Sequence, residues 1–358
     1  MRKIGVLTFH GVLNHGAVLQ AYALQKFFRN NGANAELVNY SPKYFTWQTY
    51  RPAKGIFKSF LKYSRLLKFK KFENNHLSVS AERYVTVKDL YNIKYDALVC
   101  GSDQVWNKSI TAGSIDGAYL LNFPFDGERY AYAASAGANN VLDDAHVHDA
   151  LKLFSGIGVR EEYLYAELLS GELEAKHVAD PTFLLDADEY DEIVYSKLIP
   201  KFPYIVSYEV STDETRAEYQ KAILKLKAKL DLPIVHIGDK SLGCADVNLL
   251  NISTNDWIAL LKGANFVVTN SFHGCSFGIK FKKPLVVLSH LDKERNARPI
   301  SLLTSVGMLE CFFIVDGCEL DKVSIPNLYL ERDYQLYDKF VNRSRCFAMS
   351  IVRPENES

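Results

Sequence analysis

The sequence lacks both an excess of charge and a long hydrophobic run. Its 42 lysine and arginine residues balance 42 aspartate and glutamate residues, so the formal net charge is zero. This balance argues against a nucleic-acid-binding protein whose whole surface is basic. No stretch of about 18 consecutive apolar residues occurs, so we expect no membrane-spanning helix.

Cysteine is also sparse. The six cysteines include no CxxC pair and show no regular spacing. In a chain of 358 residues this pattern predicts reduced, mostly buried thiols in a reducing compartment, and hence a cytoplasmic protein. Walker lysine, GxSxG and HExxH motifs are missing too, and we predict no metal site.

The sequence does contain an alternation of short apolar runs with helical segments. Hydrophobic residues make up 48% of the chain, as in ordinary soluble globular proteins. Strands that alternate with helices predict parallel sheets with helices on both faces. We therefore predict an α/β fold with two Rossmann-like domains that face a central cleft. The expected parts are an N-terminal domain over 1–190, a C-terminal domain over 200–325, and a terminal helix over 328–351 that packs back.

One segment interrupts this alternation. Residues 43–72 contain nine basic residues and no aspartate or glutamate, with aromatic and aliphatic residues between them. We interpret the segment as an inserted basic, amphipathic helical element. It is either a lid or acceptor-binding flap or a surface that contacts anionic lipid.

Polar loops follow several predicted strands, and ligands in α/β sheets bind at the carboxyl ends of strands. In the first loop, Asn14, His15 and Gly16 precede a helix whose N-terminus suits an anion, although Asn14 is also a typical helix cap. In the second loop, the sequence GSDQVWN places Ser102 and Asp103 after a buried strand, as ligand-orienting groups or as helix caps.

Two further loops carry the candidate catalytic residues. Arg160 directly follows an apolar strand, where its guanidinium suits a carboxylate or phosphate. A salt bridge to Glu161, Glu162 or Asp180 is the alternative. The strongest signal is the sequence TNSFHG, which places His273 at a strand–helix elbow, where a histidine can act as an acid or base. A purely structural histidine is the alternative there. The elbow also contains Asn270, Ser271 and Gly274, which are predicted to bind substrate.

Together these motifs resemble the polysaccharide pyruvyl transferase family. The resemblance is carried by TFH…NHGAVLQAYAL, DALVCGSDQVWN, YAASAG, GVREEYLYAELL, VADPTFLL and FVVTNSFHGCSFGIKFKKPLVVL, and covers nearly the whole chain. It implies an arrangement similar to glycosyltransferases of the GT-B type. It also implies transfer of a pyruvyl group from phosphoenolpyruvate to a sugar hydroxyl pair, with ketal formation, in surface polysaccharide or exopolysaccharide biosynthesis.

The resemblance assigns roles to individual residues. Arg160 and His273 match the family's active-site arginine and histidine, and Arg298 is the best match for a further basic residue that contacts the donor. The expected partners are phosphoenolpyruvate and a sugar or lipid-linked oligosaccharide acceptor. No cofactor, metal ion or nucleic acid is expected.

Two other functions stay open from the sequence. One is a GT-B-type glycosyltransferase that uses a nucleotide sugar. The other is a non-catalytic membrane-surface adaptor in polysaccharide assembly, with peripheral contact at the inner face of the membrane through residues 43–72.

Overall fold

The computed structural model describes residues 1–53, 55–137, 139–210, 216–315, 320 and 334–354. The chain divides into two compact units, one formed by Met1–Lys62, Phe69–Leu185 and Lys339–Ser358 and the other by Tyr63–Lys68 and Asp186–Asp338. The predicted end of the second domain, at 325, and the first residues of the predicted terminal helix, from 328, lie outside the described residues.

The first unit is built on a seven-stranded sheet in the order β3-β2-β1-β4-β5-β6-β7, in which all neighbouring strands are parallel. The strands are β1 (Lys3–Leu7), β2 (Asn34–Tyr40), β3 (Val79–Tyr84), β4 (Ala97–Cys100), β5 (Glu128–Ala134), β6 (Gly156–Val159) and β7 (Lys176–His177). The central strands are apolar throughout because helices or loops cover both faces of a parallel sheet. All four residues of β4, for example, are buried.

The second unit contains a six-stranded parallel sheet in the order β10-β9-β8-β11-β12-β13. Its strands are β8 (Ile205–Tyr208), β9 (Ile234–Gly238), β10 (Val247–Leu250), β11 (Phe266–Thr269), β12 (Leu285–Leu288) and β13 (Phe312–Phe313). The prediction of an α/β protein with two parallel-sheet, Rossmann-like halves is confirmed.

Ten α-helices accompany the sheets within the described residues. They are α1 (His15–Asn30), α2 (Lys43–Tyr50), α3 (Ile56–His76), α4 (Ala145–Leu151), α5 (Glu162–Ser170), α6 (Arg216–Leu230), α7 (Thr254–Gly263), α8 (Phe272–Lys280), α9 (Lys293–Ser305) and α10 (Gln335–Val352). None of them is both long and apolar enough to cross a membrane. The five cysteines that lie in the described ranges are all free thiols.

The basic segment 43–72 forms α2 and most of α3, so its predicted helical character is confirmed. Residues Tyr63–Lys68 of α3 group with the second unit. There Arg65 pairs with Asp239, and the Lys68 ammonium donates to the backbone carbonyl of Asn251.

The terminal helix α10 packs on the first unit from Lys339 onward. The Phe347 ring stacks on the Tyr132 ring at 6.1 Å between centroids. The Ser344 hydroxyl accepts a 2.8 Å hydrogen bond from the backbone N–H of Ala179. These contacts join the last helix to the sheet that contains β1.

Candidate active site

The loop between β1 and α1 positions the first group of predicted site residues. Asn14 caps α1, because its side-chain oxygen accepts hydrogen bonds from the N–H groups of Gly16 at 2.9 Å and Ala17 at 3.2 Å. Gly16 lies in the first, buried turn of the helix. The His15 ring is buried and stacks on Phe69 of α3, with the ring centroids 4.7 Å apart. The capping alternative for Asn14 is therefore realised, and its contact with substrate stays a prediction.

The end of β4 passes close to the end of β1. A Cβ atom on Gly101 would lie 2.8 Å from the Cβ of Thr8, so a larger residue would force the two loops apart. The Thr8 hydroxyl donates to the backbone carbonyl of Ser102 at 2.7 Å. Asp103 adopts a positive φ of 77°, a strained backbone conformation for a residue other than glycine. This turn places Ser102 and Asp103 at the carboxyl edge of the sheet.

Arg160 lies at the same edge, directly after β6, and is 4% exposed. Its guanidinium contacts Glu161 at 3.1 Å and Asp180 at 3.0 Å. Burial alone would lower the pKa of Arg160, but the two carboxylates outweigh burial and the net pKa is raised. The salt bridges to Glu161 and Asp180, which the sequence left as an alternative, are thus present.

Ser102, Arg160 and Asp180 form one buried network. The Ser102 hydroxyl donates to Asp180 at 3.0 Å, and one guanidinium N–H of Arg160 lies 3.4 Å from the same hydroxyl. The charge of Asp103 also acts on Arg160 and helps to raise its pKa. The structure therefore brings together Ser102, Asp103 and Arg160 from two predicted motifs.

In the second unit, β11 leads through Asn270 and Ser271 into α8. Ser271 is the helix cap, and its hydroxyl accepts from the N–H of Gly274 at 3.4 Å. A Cβ on Gly274 would lie 2.4 Å from the Thr269 hydroxyl, so this helix start requires a glycine. His273 is the second residue of α8 and is 6% exposed. The predicted strand–helix elbow is thus formed, with His273 in the first helical turn.

Asn270 connects this elbow to a histidine that the sequence reasoning missed. The Asn270 side-chain oxygen accepts from Val210 N–H at 2.7 Å, and its backbone carbonyl lies 2.8 Å from Nε2 of His290. Burial lowers the pKa of His290, and the charges of Arg295 and Arg298 lower it further, although the hydrogen bond to Asn270 opposes both. Arg298 is therefore placed on α9 close enough to act electrostatically on the group beside Asn270. His290 gave no signal because it stands alone, two residues beyond β12.

A cavity of about 320 Å³ opens at the carboxyl ends of β1 and β2. Its lining includes Thr8 and His10 from the loop after β1, Thr49 from α2, and Lys70 and Glu73 from α3. His10 belongs to the first loop but carries no role predicted from the sequence. Its proximity to α3 could not be read from the sequence, because the two segments lie about 60 residues apart.

Two parallel sheets with polar side chains at their carboxyl ends define the class of protein, an α/β protein with two Rossmann-like halves. The sequence model of the family described as "Polysaccharide pyruvyl transferase" matches residues 14–292. The chain therefore belongs to the polysaccharide pyruvyl transferase family. The family's name describes transferases of polysaccharide biosynthesis and implies a sugar or polysaccharide acceptor. Comparison with curated proteins gives no match.

Solved structures with the same fold include UDP-N-acetylglucosamine 2-epimerases. A UDP co-structure of MnaA from Staphylococcus aureus has a TM-score of 0.58 and 14% identity, and covers 98% of this chain and 96% of its own. UDP-GlcNAc 2-epimerase from Methanocaldococcus jannaschii has a TM-score of 0.56 and 11% identity, and the match covers 98% of this chain and 99% of the epimerase. UDP-GlcNAc 2-epimerase from Neisseria meningitidis has a TM-score of 0.54 and 11% identity, and the match covers 99% of this chain and 100% of the epimerase. At these identities the similarity shows the fold alone.

Proposed function

We propose that the protein transfers a pyruvyl group from phosphoenolpyruvate to two hydroxyls of one sugar, forming a cyclic ketal, in surface polysaccharide or exopolysaccharide biosynthesis. The observation that carries this proposal is the family match over residues 14–292, which includes the strand-end residues Arg160 and His273. The reaction requires no cofactor, because phosphoenolpyruvate supplies both the pyruvyl group and the leaving phosphate.

The chemistry requires an acid for carbon and a base for oxygen. Protonation of the methylene carbon makes C2 of phosphoenolpyruvate electrophilic, and a sugar hydroxyl then forms the first C–O bond. Phosphate leaves with the electron pair of its bond to C2, and the second hydroxyl closes the ketal. The two hydroxyls release two protons, of which one balances the proton added to carbon and the other ends on phosphate. Overall, the reaction neither consumes nor releases a proton.

The elbow between β11 and α8 suits the donor anion. The first N–H groups of a helix point at a ligand and carry partial positive charge, and the guanidinium of Arg298 lies on the neighbouring α9. His273 stands in that first turn. We assign to His273 the proton transfer, either to the methylene carbon or to the departing phosphate. Asn270, Ser271 and Gly274 fix the shape of the elbow around it.

Arg160 is proposed to contact a substrate carboxylate or phosphate beside Ser102 and Asp103. Its existing partners, Glu161 and Asp180, compete with such a contact because they already neutralise the guanidinium. If Arg160 only stabilises the strand ends, substrate affinity will not depend on the shape of its guanidinium.

Phosphate release from phosphoenolpyruvate in the presence of candidate acceptor sugars tests the proposal. We expect release that depends on both the protein and the acceptor, and mass spectrometry should detect the pyruvyl ketal on the sugar. Release without an acceptor, or with an unmodified acceptor, would contradict a ketal-forming transfer.

A nucleotide sugar is the competing donor class. Of the similar structures named above, the Staphylococcus aureus protein contains UDP and the Neisseria meningitidis enzyme contains UDP-GlcNAc. A ligand at 100 times its Kd stabilises a protein by about 2.7 kcal/mol, so thermal shift separates the two classes. We expect phosphoenolpyruvate to raise the melting temperature, and UDP-, GDP- and CMP-sugars to leave it unchanged. The reverse result would favour a glycosyltransferase.

The exposed surface of helix α3 is suited to a contact with anionic lipid during this reaction. Ile56, Phe60, Tyr63 and Leu67 are exposed and spaced three or four residues apart, which places them on one face of the helix. Nine basic residues accompany them in segment 43–72, without an acidic residue. This combination is typical of helices that lie on membrane surfaces, where a lipid-linked acceptor would be located.

A further inference from the structure

The cavity at the ends of β1 and β2 is built for a small polar molecule. Its volume of about 320 Å³ is at the lower end of the range for ligand pockets, which begins at about 300 Å³. All its lining residues belong to the first unit. The loop after β1 forms one side of it, and side chains of α2 and α3 form another.

The walls combine aromatic rings with hydrogen-bonding groups. Phe9 packs edge-to-face on Phe45 at 4.7 Å and on Tyr119 at 5.2 Å. Thr46 and Thr49, which carry hydroxyl groups, also line the cavity. A pyranose ring has apolar C–H faces and a rim of hydroxyls, so it matches walls of this composition. The sugar class is thus suggested by the lining alone.

His10 is the cavity residue whose ring offers a nitrogen that can accept a proton. It is 5% exposed, and its Nδ1 lies 3.1 Å from the backbone carbonyl of Thr8. A carbonyl oxygen only accepts hydrogen bonds, so Nδ1 carries the proton and Nε2 of the neutral ring has a lone pair. The hydrogen bond that the described residues give to His10 runs through Nδ1, so Nε2 is the ring nitrogen that remains for a ligand.

The surroundings of His10 keep the ring neutral. Burial is the largest effect and lowers its pKa, and the charge of Lys70 lowers it further. Glu73 and the Thr8 carbonyl act in the opposite direction but are outweighed. A neutral imidazole is the form that accepts a proton.

Other titratable groups of the cavity are less suited to act as a base. The phenol of Tyr40 donates to Asp116 at 2.8 Å, and burial and that carboxylate raise its pKa. Burial also raises the pKa of Tyr119. Glu73 is paired with Lys70 at 2.8 Å. The remaining lining groups are the Arg83 guanidinium, which carries no lone pair for this role, and the Tyr50 phenol.

We propose that this cavity binds the sugar that receives the pyruvyl group and that Nε2 of His10 takes the proton of the attacking hydroxyl. The O–H bond breaks, its proton moves to Nε2, and the oxygen electron pair forms the bond to C2 of the donor. The imidazolium then returns the proton to the departing phosphate or to solvent. This inference rests on the proposed pyruvyl transfer and names a base that the family resemblance did not supply.

The test compares His10→Asn with the matched control His146→Asn. The asparagine amide can still donate to the Thr8 carbonyl, whereas His146 is exposed at the start of α4. Phosphate release is measured with phosphoenolpyruvate and methyl pyranosides of glucose, galactose, mannose and N-acetylglucosamine. Loss of a positioned base lowers kcat by about 10²–10⁴-fold. We expect that loss in His10→Asn with an unchanged KM for the sugar, and wild-type kinetics in His146→Asn.

The pH profile separates a base from a structural role. In the wild type, kcat should fall at acid pH as Nε2 becomes protonated, and His10→Asn should lack this acid limb. Lys70, Glu73, Arg83, Tyr40, Tyr50 and Tyr119 are the other titratable groups of the cavity and are unchanged in the variant. A folded His10→Asn protein with wild-type kcat would overturn the inference.

A second measurement separates this inference from the proposed function. Saturation-transfer NMR with the same pyranosides, without donor, is recorded for the wild type and for Thr49→Trp, which fills the cavity. We expect sugar signals that disappear in Thr49→Trp. Sugar binding without any turnover would contradict the pyruvyl transfer and with it the role of His10, but would support the sugar site. No sugar binding, or binding that Thr49→Trp leaves unchanged, would overturn the site itself.

Discussion

His273 is the residue whose replacement tests the donor chemistry most directly. It lies in the first turn of α8, between a serine cap and a glycine that the close approach of Thr269 requires. We predict that His273→Ala stays folded and loses turnover by about 10²–10⁴-fold, the usual effect of removing a positioned acid or base. Steady-state phosphate release measures this loss.

The control for His273 is His146→Ala, which removes an exposed imidazole from the first turn of α4. Its turnover should match that of the wild type. Near-normal ketal formation by folded His273→Ala would remove His273 from the mechanism. A loss in both variants would show that the assay reports stability rather than chemistry.

Arg160 presents a different problem, because its replacement affects folding before it affects binding. The side chains of Glu161 and Asp180 are at most 1% exposed. Removal of the cation leaves two buried carboxylates, and breaking a buried pair costs about 3–5 kcal/mol. We predict that Arg160→Ala lowers the free energy of unfolding by this amount, as measured by urea denaturation. Arg29→Ala, at an exposed arginine of α1, should change it by less than about 0.5 kcal/mol.

Arg160→Lys isolates the binding role, since lysine keeps the charge but lacks the planar fork. Calorimetry with phosphoenolpyruvate should show weaker binding by the folded lysine variant. Unchanged affinity would leave Arg160 with the structural role that its salt bridges already define. The sequence could list Glu161, Glu162 and Asp180 as partners but could not select among them, because Asp180 reaches Arg160 only when the ends of β6 and β7 are adjacent.

At the scale of elements, the sequence predicts the central strands, whereas three of the four edge strands were missed. The apolar runs Ala97–Cys100, Gly156–Val159 and Phe266–Thr269 predict buried strands from the sequence. The structure forms strands with these bounds, and the runs are apolar because both sheet faces are covered. The missed strands β3, β10 and β13 lie at sheet edges. Such strands alternate exposed and buried residues only weakly, as in β3, where three consecutive residues are exposed.

The sequence does not predict helix α9. It contains Pro299, whose missing N–H and fixed φ argue against a helix in any reading of the sequence alone. Tertiary contacts outweigh the free-energy cost of a proline inside the helix. Asp292 caps the helix, because its side chain accepts a hydrogen bond from Glu294 N–H at 3.1 Å. The family resemblance therefore identifies Arg298 but does not place it on a helix. Its effect on the pKa of His290 is seen only in the structure.

Helix α3 carries the prediction that belongs to this scale. Its exposed apolar face and its lysines should bind anionic vesicles, since each basic residue near such a surface contributes about 1 kcal/mol. We predict flotation with phosphatidylglycerol-containing liposomes and none with phosphatidylcholine alone. Ile56→Ser together with Phe60→Ser should abolish flotation, because both side chains are exposed and make little contribution to the fold.

The matched control for flotation is Leu153→Ser together with Leu169→Ser, which removes two exposed apolar side chains elsewhere in the first unit. This variant should float like the wild type. The prediction is contradicted if the wild type, the α3 variant and the control variant float equally, or if flotation does not depend on the charge of the lipid. In that case α3 serves only as a wall of the cavity. The turnover of the α3 variant with a soluble sugar should be unchanged in either case.

At the scale of the whole molecule, the two units share one electrostatic property. Each contains two histidines whose pKa is lowered by burial, namely His10 and the partly buried His177 in the first unit and His236 and His290 in the second. His236 is the clearest case, since its pKa falls to about 4 and its ring is held by Ser207 and the Lys240 carbonyl. Composition alone could not indicate this property, because it depends on which of the nine histidines become buried.

Both units should therefore lose stability on mild acidification. A lowered histidine pKa means that the unfolded chain binds more protons than the folded one, so stability is complete above the unfolded pKa of about 6.5 and is lost as the pH falls below it. For His236 the difference of about 2.5 pKa units corresponds to at most about 3 kcal/mol once the pH reaches 4. The lowered pKa of Asp246 acts only below its ordinary value of 3.8, so the two effects occupy different pH ranges.

Scanning calorimetry between pH 7.5 and 5.0 at constant ionic strength measures this loss. We predict a melting temperature that is constant above about pH 7 and falls steadily below about pH 6.5. In His236→Gln the decrease should be smaller, because the unfolded chain no longer gains a proton at this position, whereas exposed His146→Gln should follow the wild type. A melting temperature that stays constant down to pH 5.0 would contradict the lowered pKa of these four histidines.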